Sequence, residues 1–427
     1  MSWPLLSLVS AGPRTIAQPQ KMILRSAVMM GSTNPTGDTI MMPRLLVPEL
    51  AAKLSARLAA KLAATIAAAC LLAGAPSASA EPIYDLSFLP SGFRGVQLND
   101  AGQVVGNAGG AAALYSGGVL TTVAPSPSFA EGINNRGDIA GTLNEGFVNE
   151  AFTSIGGTFT NIDPFVRGNG ADSSARAIND HGVVGGNVYN GGENTRGFLF
   201  HDGIVERIGT FGGDYSPLAA INNHGAATGY AAFEGPAGGY FHAYLYQDGT
   251  LQDLGTLTGN GINTFSMGND INNLGQVAGW SGSGAFLYSN GSMIDLGALG
   301  DYGSSATALN DNGLVVGTSY SRLTPGGTGE HAFLYAGGAM VDLNTLVAPL
   351  DGWELTIAQD INAAGQILGT ACRNGTCASV LLTPVPEPAA SLLLLAGLGT
   401  LAPLAARRRQ RPTRIACPPN RMNALQA

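Results

Sequence analysis

The sequence predicts an all-β chain closed into a seven-bladed propeller, and three observations carry that prediction. A nine-residue phrase recurs seven times. Two further strand motifs follow most copies, and the two ends of the repeat region are complementary fragments of one unit. The clearest copy of the phrase is Ile271-Asn272-Asn273-Leu274-Gly275-Gln276-Val277-Ala278-Gly279; the others begin at Leu98, Ile133, Ile178, Ile221, Leu309 and Ile361. Self-similarity of this kind is the signature of a repeat architecture.

Each part of the phrase has a physical reading. Asn first, Asn or Asp next and Gly at the fourth turn position suit a type I turn whose last residue takes positive φ. The marker glycines are Gly102, Gly137, Gly182, Gly225, Gly275, Gly313 and Gly365. Glycine enters that region without steric cost and there makes the bulge of a short hairpin. The flanks alternate with period two, as in Gly313-Leu314-Val315-Val316-Gly317, so the phrase is a β-hairpin. A third strand follows as Ala-Phe-Leu-Tyr at Ala285 and Ala332, with variants at Ala243, Gly197 and Ala112. The fourth is Asp-Leu-Gly at Asp253 and Asp295, with Asp342-Leu343-Asn344 a near copy. Turns such as Gln247-Asp248-Gly249 separate the two, and four short strands make a blade.

The marker glycines are spaced by 35, 45, 43, 50, 38 and 52 residues, which fits loops of different length on one plan. After the last phrase, Ala378-Ser379-Val380-Leu381 takes the third-strand place and no Asp-Leu-Gly follows. Ile83-Tyr84-Asp85-Leu86 precedes the first phrase with no strands before it. The N-terminal strand would therefore complete the last blade and pair the edges that a linear array leaves open. A β-solenoid is the alternative; its turns are more uniform in length and need no such closure.

The repeat region, residues 81–384, lies between two address segments. Residues 1–80 are an N-terminal extension and signal peptide. Met29, Met30, Met41 and Met42 point to a later start codon. Lys53, Arg57 and Lys61 then precede an apolar run from Leu62 to Ala73, and Ala78-Ser79-Ala80 has the small residues of a cleavage site after Ala80. The alternatives are a soluble Ala-rich amphipathic helix and, through Cys70, a lipoprotein. Residues 385–410 begin Val385-Pro386-Glu387-Pro388 and continue with eighteen uncharged residues, Ala389 to Ala406, ahead of Arg407, Arg408, Arg409 and Arg411. That length suffices for one transmembrane helix with its basic cluster in the cytoplasm. Residues 411–427 form a tail.

Composition narrows the function classes. Sixty-one of 427 residues are Gly and only 12% are charged, which excludes a disordered polar chain and a helical bundle. Residues 81–384 carry 26 Asp and Glu against 8 Arg and no Lys, a net charge of −18. Such a surface repels nucleic acid, and repels an anionic polysaccharide unless divalent cations bridge the two. The plainer reading is that the charge keeps a Gly-rich β protein soluble. Cys372 and Cys377 flank Arg373-Asn374-Gly375-Thr376, a turn within the last hairpin, so an oxidising compartment would join them as a disulfide; reduced thiols are the alternative. Cys417 lies in the tail.

No catalytic set stands out. His242 and His331 share one repeat position, His181 and His224 another, and His201 is alone in a turn. Ser128, Ser173, Ser216, Ser266 and Ser304 all recur five residues before the phrase. Repetition marks these residues as structural. Asp253, Asp295 and Asp342 are read the same way, as acceptors of backbone N–H bonds in the adjoining turn. No cofactor is expected, the one alternative being Ca²⁺ held by turn Asp and Asn oxygens. Trp280, Trp353 and the run Asp351-Gly352-Trp353-Glu354 break the pattern: an aromatic beside acids suits a sugar ring, against the plainer reading of core tryptophans.

The C-terminal segment resembles the PEP-CTERM sorting signal of Gram-negative bacteria, through Pro386, Glu387 and Pro388, the apolar span and Arg407 to Arg409. The tail from Arg411 departs from that pattern. The repeats resemble the HAF repeat of extracellular proteins, whose name matches His331-Ala332-Phe333. What the likeness implies is export, an inner-membrane intermediate, recognition and cleavage by an exosortase, and a destination at the cell surface or in the extracellular matrix. It brings no activity. Two classes follow: a non-catalytic module that binds matrix polysaccharide or protein, and a secreted carbohydrate-active enzyme on a propeller.

Overall fold

In every copy of the phrase the first Asn closes its own turn. The computed structural model describes residues 83–385 apart from 147, 169–171, 190–194, 235–239, 259–263, 283 and 322–328. In it the side-chain oxygen of Asn272 accepts from the N–H groups of Leu274 (3.1 Å) and Gln276 (3.0 Å). The backbone N–H of Asn272 donates to the Gln276 carbonyl and that of Gly275 to the Asn272 carbonyl, each at 3.1 Å. Both backbone bonds recur in all seven copies. The marker glycines hold φ between 73° and 81°, the left-handed region that the sequence demanded of them.

Among the described residues, twenty-eight strands in seven four-stranded antiparallel sheets follow. After β1 (Tyr84–Phe88), blade one holds β2 (Phe93–Leu98), β3 (Val104–Ala108), β4 (Ala111–Ser116) and β5 (Val119–Thr122). Blade two holds β6 (Ser128–Ile133), β7 (Ile139–Glu145), β8 (Val148–Ile155) and β9 (Thr158–Asn161). Blade three holds β10 (Asp172–Ile178), β11 (Val184–Tyr189), β12 (Thr195–His201) and β13 (Ile204–Arg207). Blade four holds β14 (Leu218–Ile221), β15 (Ala227–Ala232), β16 (Phe241–Gln247) and β17 (Thr250–Asp253). Blade five holds β18 (Ser266–Ile271), β19 (Val277–Ser281), β20 (Gly284–Ser289) and β21 (Ser292–Asp295). Blade six holds β22 (Ser304–Leu309), β23 (Val315–Tyr320), β24 (Glu330–Ala336) and β25 (Ala339–Asp342). Blade seven is β26 (Glu354–Ile361), β27 (Ile367–Arg373) and β28 (Thr376–Pro384), completed by β1.

The closure is the one the terminal fragments predicted. β1 pairs antiparallel with β28 from Tyr84 opposite Pro384 to Phe88 opposite Val380. The Val385 N–H then donates to the Ile83 carbonyl at 2.8 Å. The chain is an all-β seven-bladed propeller. The expected C-terminal membrane helix falls outside the described residues.

A feature absent from the sequence reading sets the position of the inner strands. Each first strand carries a β-bulge just before the phrase, for instance between Gly268 and Asp270 in β18. The extra residue presses a carbonyl against the second strand, and this explains the Gly that ends the phrase. A Cβ on Gly279 would lie 1.9 Å from the Met267 carbonyl oxygen and 2.9 Å from the Phe286 ring. The aromatic of Ala-Phe-Leu-Tyr therefore lies over a glycine.

The Ala-Phe-Leu-Tyr stretch of β20 is apolar because both its faces are buried. Phe286 and Tyr288 pack towards blade four with Ala243, Leu254 and Val277; Ala285 and Leu287 pack towards blade six with Ala306, Leu309 and Phe333. Seven such clusters fill the seven interfaces between blades, the last joining Phe93 and Val104 to Leu368 across the closure. The fourth strands face solvent and are short, as befits edges.

Chain direction sorts the connections by end. The first-to-second connections, such as Ile271 to Val277, and the third-to-fourth turns, such as Gln247 to Thr250, emerge at one end and keep one length each. Second-to-third and fourth-to-first connections emerge at the other end, and these alone vary, from Ser281–Gly284 to Asp253–Ser266. The unequal glycine spacings come entirely from this loop end.

Replacing Gly279 by Ala should cost about 3 kcal/mol, as overpacking against backbone does. Gly369→Ala should cost clearly less, since its Cβ would meet the Ile357 carbonyl only at 2.9 Å and no aromatic ring. Urea midpoints of the two variants check the ranking; equal losses would contradict it.

Candidate functional site

At the turn end the seven first asparagines form a closed ring around the axis. Each Nδ2–H donates to the backbone carbonyl of its counterpart in the next blade. The series runs Asn99 to Asn134, Asn179, Asn222, Asn272, Asn310, Asn362 and back to Asn99, at 2.9–3.1 Å. A second ring lies on it. The backbone N–H of Asp100 donates to the Asn135 side chain (2.9 Å), that of Asn135 to Asp180 (2.8 Å), and so on through Asn223, Asn273 and Asp311. This ring has a gap where Ala363 offers no side-chain acceptor, and Asn312 Nδ2–H donates to the Ala363 carbonyl instead (3.0 Å).

Together the two rings line an axial cavity of about 180 Å³. Three residues just ahead of the phrase also reach round the axis. Gln97 accepts from the Ile133 N–H (2.9 Å), Asp270 from Leu309 (2.9 Å) and Asp360 from Leu98 (2.8 Å), the last bond crossing the closure. Burial pushes both carboxyls up. Asp360 rises to about 7, with Asp270 adding repulsion, and Asp270 to about 6, with Asp311 adding some. The larger push falls on Asp360, only 9% exposed, while Asp270 keeps a wetter edge on the cavity. Because the seven first asparagines spend their side chains on their own turns or the next blade, this end is a fastening.

The recurring Ser, Asp and His residues also fasten. Ser128, Ser173, Ser266 and Ser304 are buried and accept the N–H of Ala112, Ala151, Ala243 and Ala285 in the preceding blade at 2.8–3.0 Å. Ser216 donates to the Ile208 carbonyl (3.1 Å). Asp253, Asp295 and Asp342 accept from the backbone N–H two residues on, at 2.8–2.9 Å, as the turn chemistry predicted. Nδ1 of His242 pairs with Asp253 and that of His331 with Asp342, each at 2.9 Å. His181 and His224 occupy turn-end loops. His201 ends β12 beside Asp202 (3.2 Å). Cys372 and Cys377 face each other across β27 and β28 and are disulfide-bonded, with their Cα atoms 4.1 Å apart.

The loop end is built differently. Around blade four, half-buried aromatic rings gather from three connections and two strand ends. Phe233 stacks between Phe211 (4.8 Å) and Tyr240 (4.7 Å). Phe241 lies 4.9 Å from Tyr230 and 5.0 Å from Phe265, and Tyr215 meets Tyr230 edge-on at 5.9 Å. Motif reading missed this group because its members come from loops that no repeat pattern aligns. Trp280 and Trp353 are half-buried, and Trp353 packs against the core cluster between blades six and seven. Trp353 packs against Phe88 (5.0 Å) and under the Arg373 guanidinium (5.0 Å).

Comparison with known proteins adds one address. Residues 384–409 match the PEP-CTERM protein-sorting motif. That motif implies an exported protein recognised by an exosortase and sorted at the membrane of Gram-negative bacteria. Its elements from Pro386 to Arg409, like Ala78 and Ala80 of the signal peptide, lie outside the described residues; among those described, no helix is long and apolar enough to cross a membrane. No curated protein matches the chain. Among solved structures, TolB from Acinetobacter baumannii is similar at a TM-score of 0.32 and 14% identity, over 48% of this chain and 51% of that one. The Trypanosoma rangeli sialidase is similar at a TM-score of 0.34 and 11% identity, over 71% and 55%. The match thus spans about half the length of each of those proteins.

The axial carboxyls give the fold a pH dependence of definite sign. A carboxyl whose folded value is raised contributes most below its unfolded value of about 3.9, and that contribution is lost as pH rises through the folded value. Asp360 and Asp270 should therefore lower stability between pH 5 and pH 8, Asp360 alone by roughly 2 to 4 kcal/mol. Burial also pushes Asp138 up, but bonds from Asn134, the Gly156 N–H and Arg136 outweigh it and hold its carboxyl low, so it acts at more acid pH. Asp360→Asn keeps an oxygen for the Leu98 N–H but loses the acceptor of the Ile361 N–H, and it should flatten the pH profile of the urea midpoint. Equal slopes in the two proteins would contradict this assignment.

Proposed function

We propose that the chain is an exported protein with HAF-type repeats whose propeller serves, without catalysis, as a binding module of the extracellular polysaccharide matrix. The observation that supports this most is the group of half-buried aromatic rings at the loop end of blade four. Aromatic faces offer large, flat apolar area to the C–H faces of sugar rings while their rims stay wet. All the variable connections lie at the same end, where a scaffold carries its binding residues. The sorting motif supports a destination outside the inner membrane, where such polymers are. Sugars interact through stacking and neutral hydroxyls, so a net charge of −18 over residues 81–384 does not oppose a neutral polymer. An anionic one would need Ca²⁺ or another divalent ion between the two surfaces.

The test uses residues 81–385, which contain every described strand and the bonds that close the ring. This protein is sedimented with exopolysaccharide from the producing cells, with and without Ca²⁺, and the length of the sugar chains is measured afterwards. Binding that leaves the chains intact is the expected result. Shortened chains would replace this reading with an enzyme, and neither binding nor shortening would replace it with a protein-binding module.

A further inference from the structure

At one repeat position the structure holds two histidines with different duties. The His242 side chain is 2% exposed, with Nδ1 on Asp253 and Nε2 3.2 Å from the Thr264 hydroxyl. Both ring nitrogens are spent inside the protein. At the same position His331 is bonded through Nδ1 to Asp342 (2.9 Å), but its side chain is 21% exposed and Nε2 has no partner among the described residues. It stands in the wall of a cavity of about 210 Å³ between blades six and seven at the loop end.

The other walls have a divided character. Ala348, Pro349 and Leu350 form an apolar side, and Trp353 adds an aromatic one. Trp353 is held by Phe88 and by Arg373, which is itself anchored to the Asp351 carbonyl (3.2 Å) and follows the disulfide-bonded Cys372. Asn344, also in the wall, is fully committed to the Leu355 backbone and to Asp342. The Glu354 carboxylate and the Trp353 indole N–H are not: neither has a hydrogen-bond partner among the described residues. Three residues with an unspent polar group, an acceptor, a donor and an imidazole nitrogen, thus line one cavity.

We propose that this pocket binds one neutral hexopyranose unit of a polysaccharide. A hydroxyl is both donor and acceptor, so the sugar can donate to Glu354, accept from Trp353 Nε1–H and bond His331 Nε2, while its C–H face lies on the apolar side. A uronate is disfavoured because its carboxylate would face Glu354. At the blade-four counterpart the Thr264 hydroxyl lies 3.2 Å from His242 Nε2 and occupies that nitrogen. The inference rests on the matrix-binding reading and gives it a specific site.

The test titrates residues 81–385 with neutral tetrasaccharides of glucose, galactose and mannose and with an oligoglucuronate, following tryptophan emission and equilibrium dialysis. Saturable binding of at least one neutral probe is expected, with the oligoglucuronate weaker. Glu354→Gln, which leaves the packing intact, should weaken the neutral probe by about tenfold, as the loss of one charge-assisted hydrogen bond does. It should also narrow the gap to oligoglucuronate. His331→Gln should weaken binding similarly, whereas His242→Gln with an unchanged urea midpoint should not. Trp353→Ala should abolish the emission change, and the two conservative variants decide the matter if that protein does not fold. No saturable binding of any neutral probe, or an affinity in Glu354→Gln and His331→Gln unchanged from that of the parent protein, overturns the site. If those variants still sediment with exopolysaccharide as the parent does, the matrix reading survives and the pocket does not. If the tetrasaccharide binds but nothing sediments, the pocket survives and the matrix reading does not.

Discussion

The bond from an asparagine side chain to the backbone of the next blade is what the structure depends on. Each first asparagine uses its oxygen on N–H groups of its own turn and its Nδ2–H on the neighbouring carbonyl, as Asn272 does with Gln276 and Asn310. Aspartate would keep the acceptor and lose the donor; serine would reach neither partner across the turn. The position is Asn in all seven copies for that reason. The residue after it varies among Asn, Asp and Ala, because its only common duty is to accept one N–H, and Ala363 shows that the ring closes without it.

The division between the two ends follows from that constraint. Where turns must register with their neighbours around an axis, length cannot change, and the first-to-second connection stays the same in every blade. Among the described residues the opposite end carries no such ring, so connections there lengthen, collect aromatics and open a pocket. Similar side chains then take different duties: His242 is sealed by Thr264, and His331 is left facing solvent by a connection that ends in Trp353 and Glu354.

Much of the architecture could be read from residue order. Period-two flanks around Asn-x-x-Gly give a hairpin wherever they occur, and the orphan fragment Ile83 to Leu86 could only pair with an incomplete last blade. The bulge before each phrase was not legible, since an extra residue such as Asn269 leaves no compositional mark. Without it the final Gly279 had no reason; with it the glycine is a contact between backbone and ring. The loop-end sites were illegible for another cause. Phe211, Phe233 and Phe265 belong to three different connections, and only the packing of neighbouring blades brings those together. Trp353 and Glu354 were visible as an oddity, but the imidazole that faces them comes from β24, more than twenty residues earlier in the chain.

The strand that ends the propeller is also the one from which the sorting segment departs, and this decides how the protein bears load. β28 lies between β27 and β1, and the chain leaves it at Val385, whose N–H is tied back to Ile83. Tension applied through the C-terminal segment therefore runs along β28 and shears two ladders at once, with a covalent stop at Cys372–Cys377 on the far side of the hairpin. A strand gripped on both sides and sutured at its distal turn resists a pull along its own axis far better than one held at a single edge.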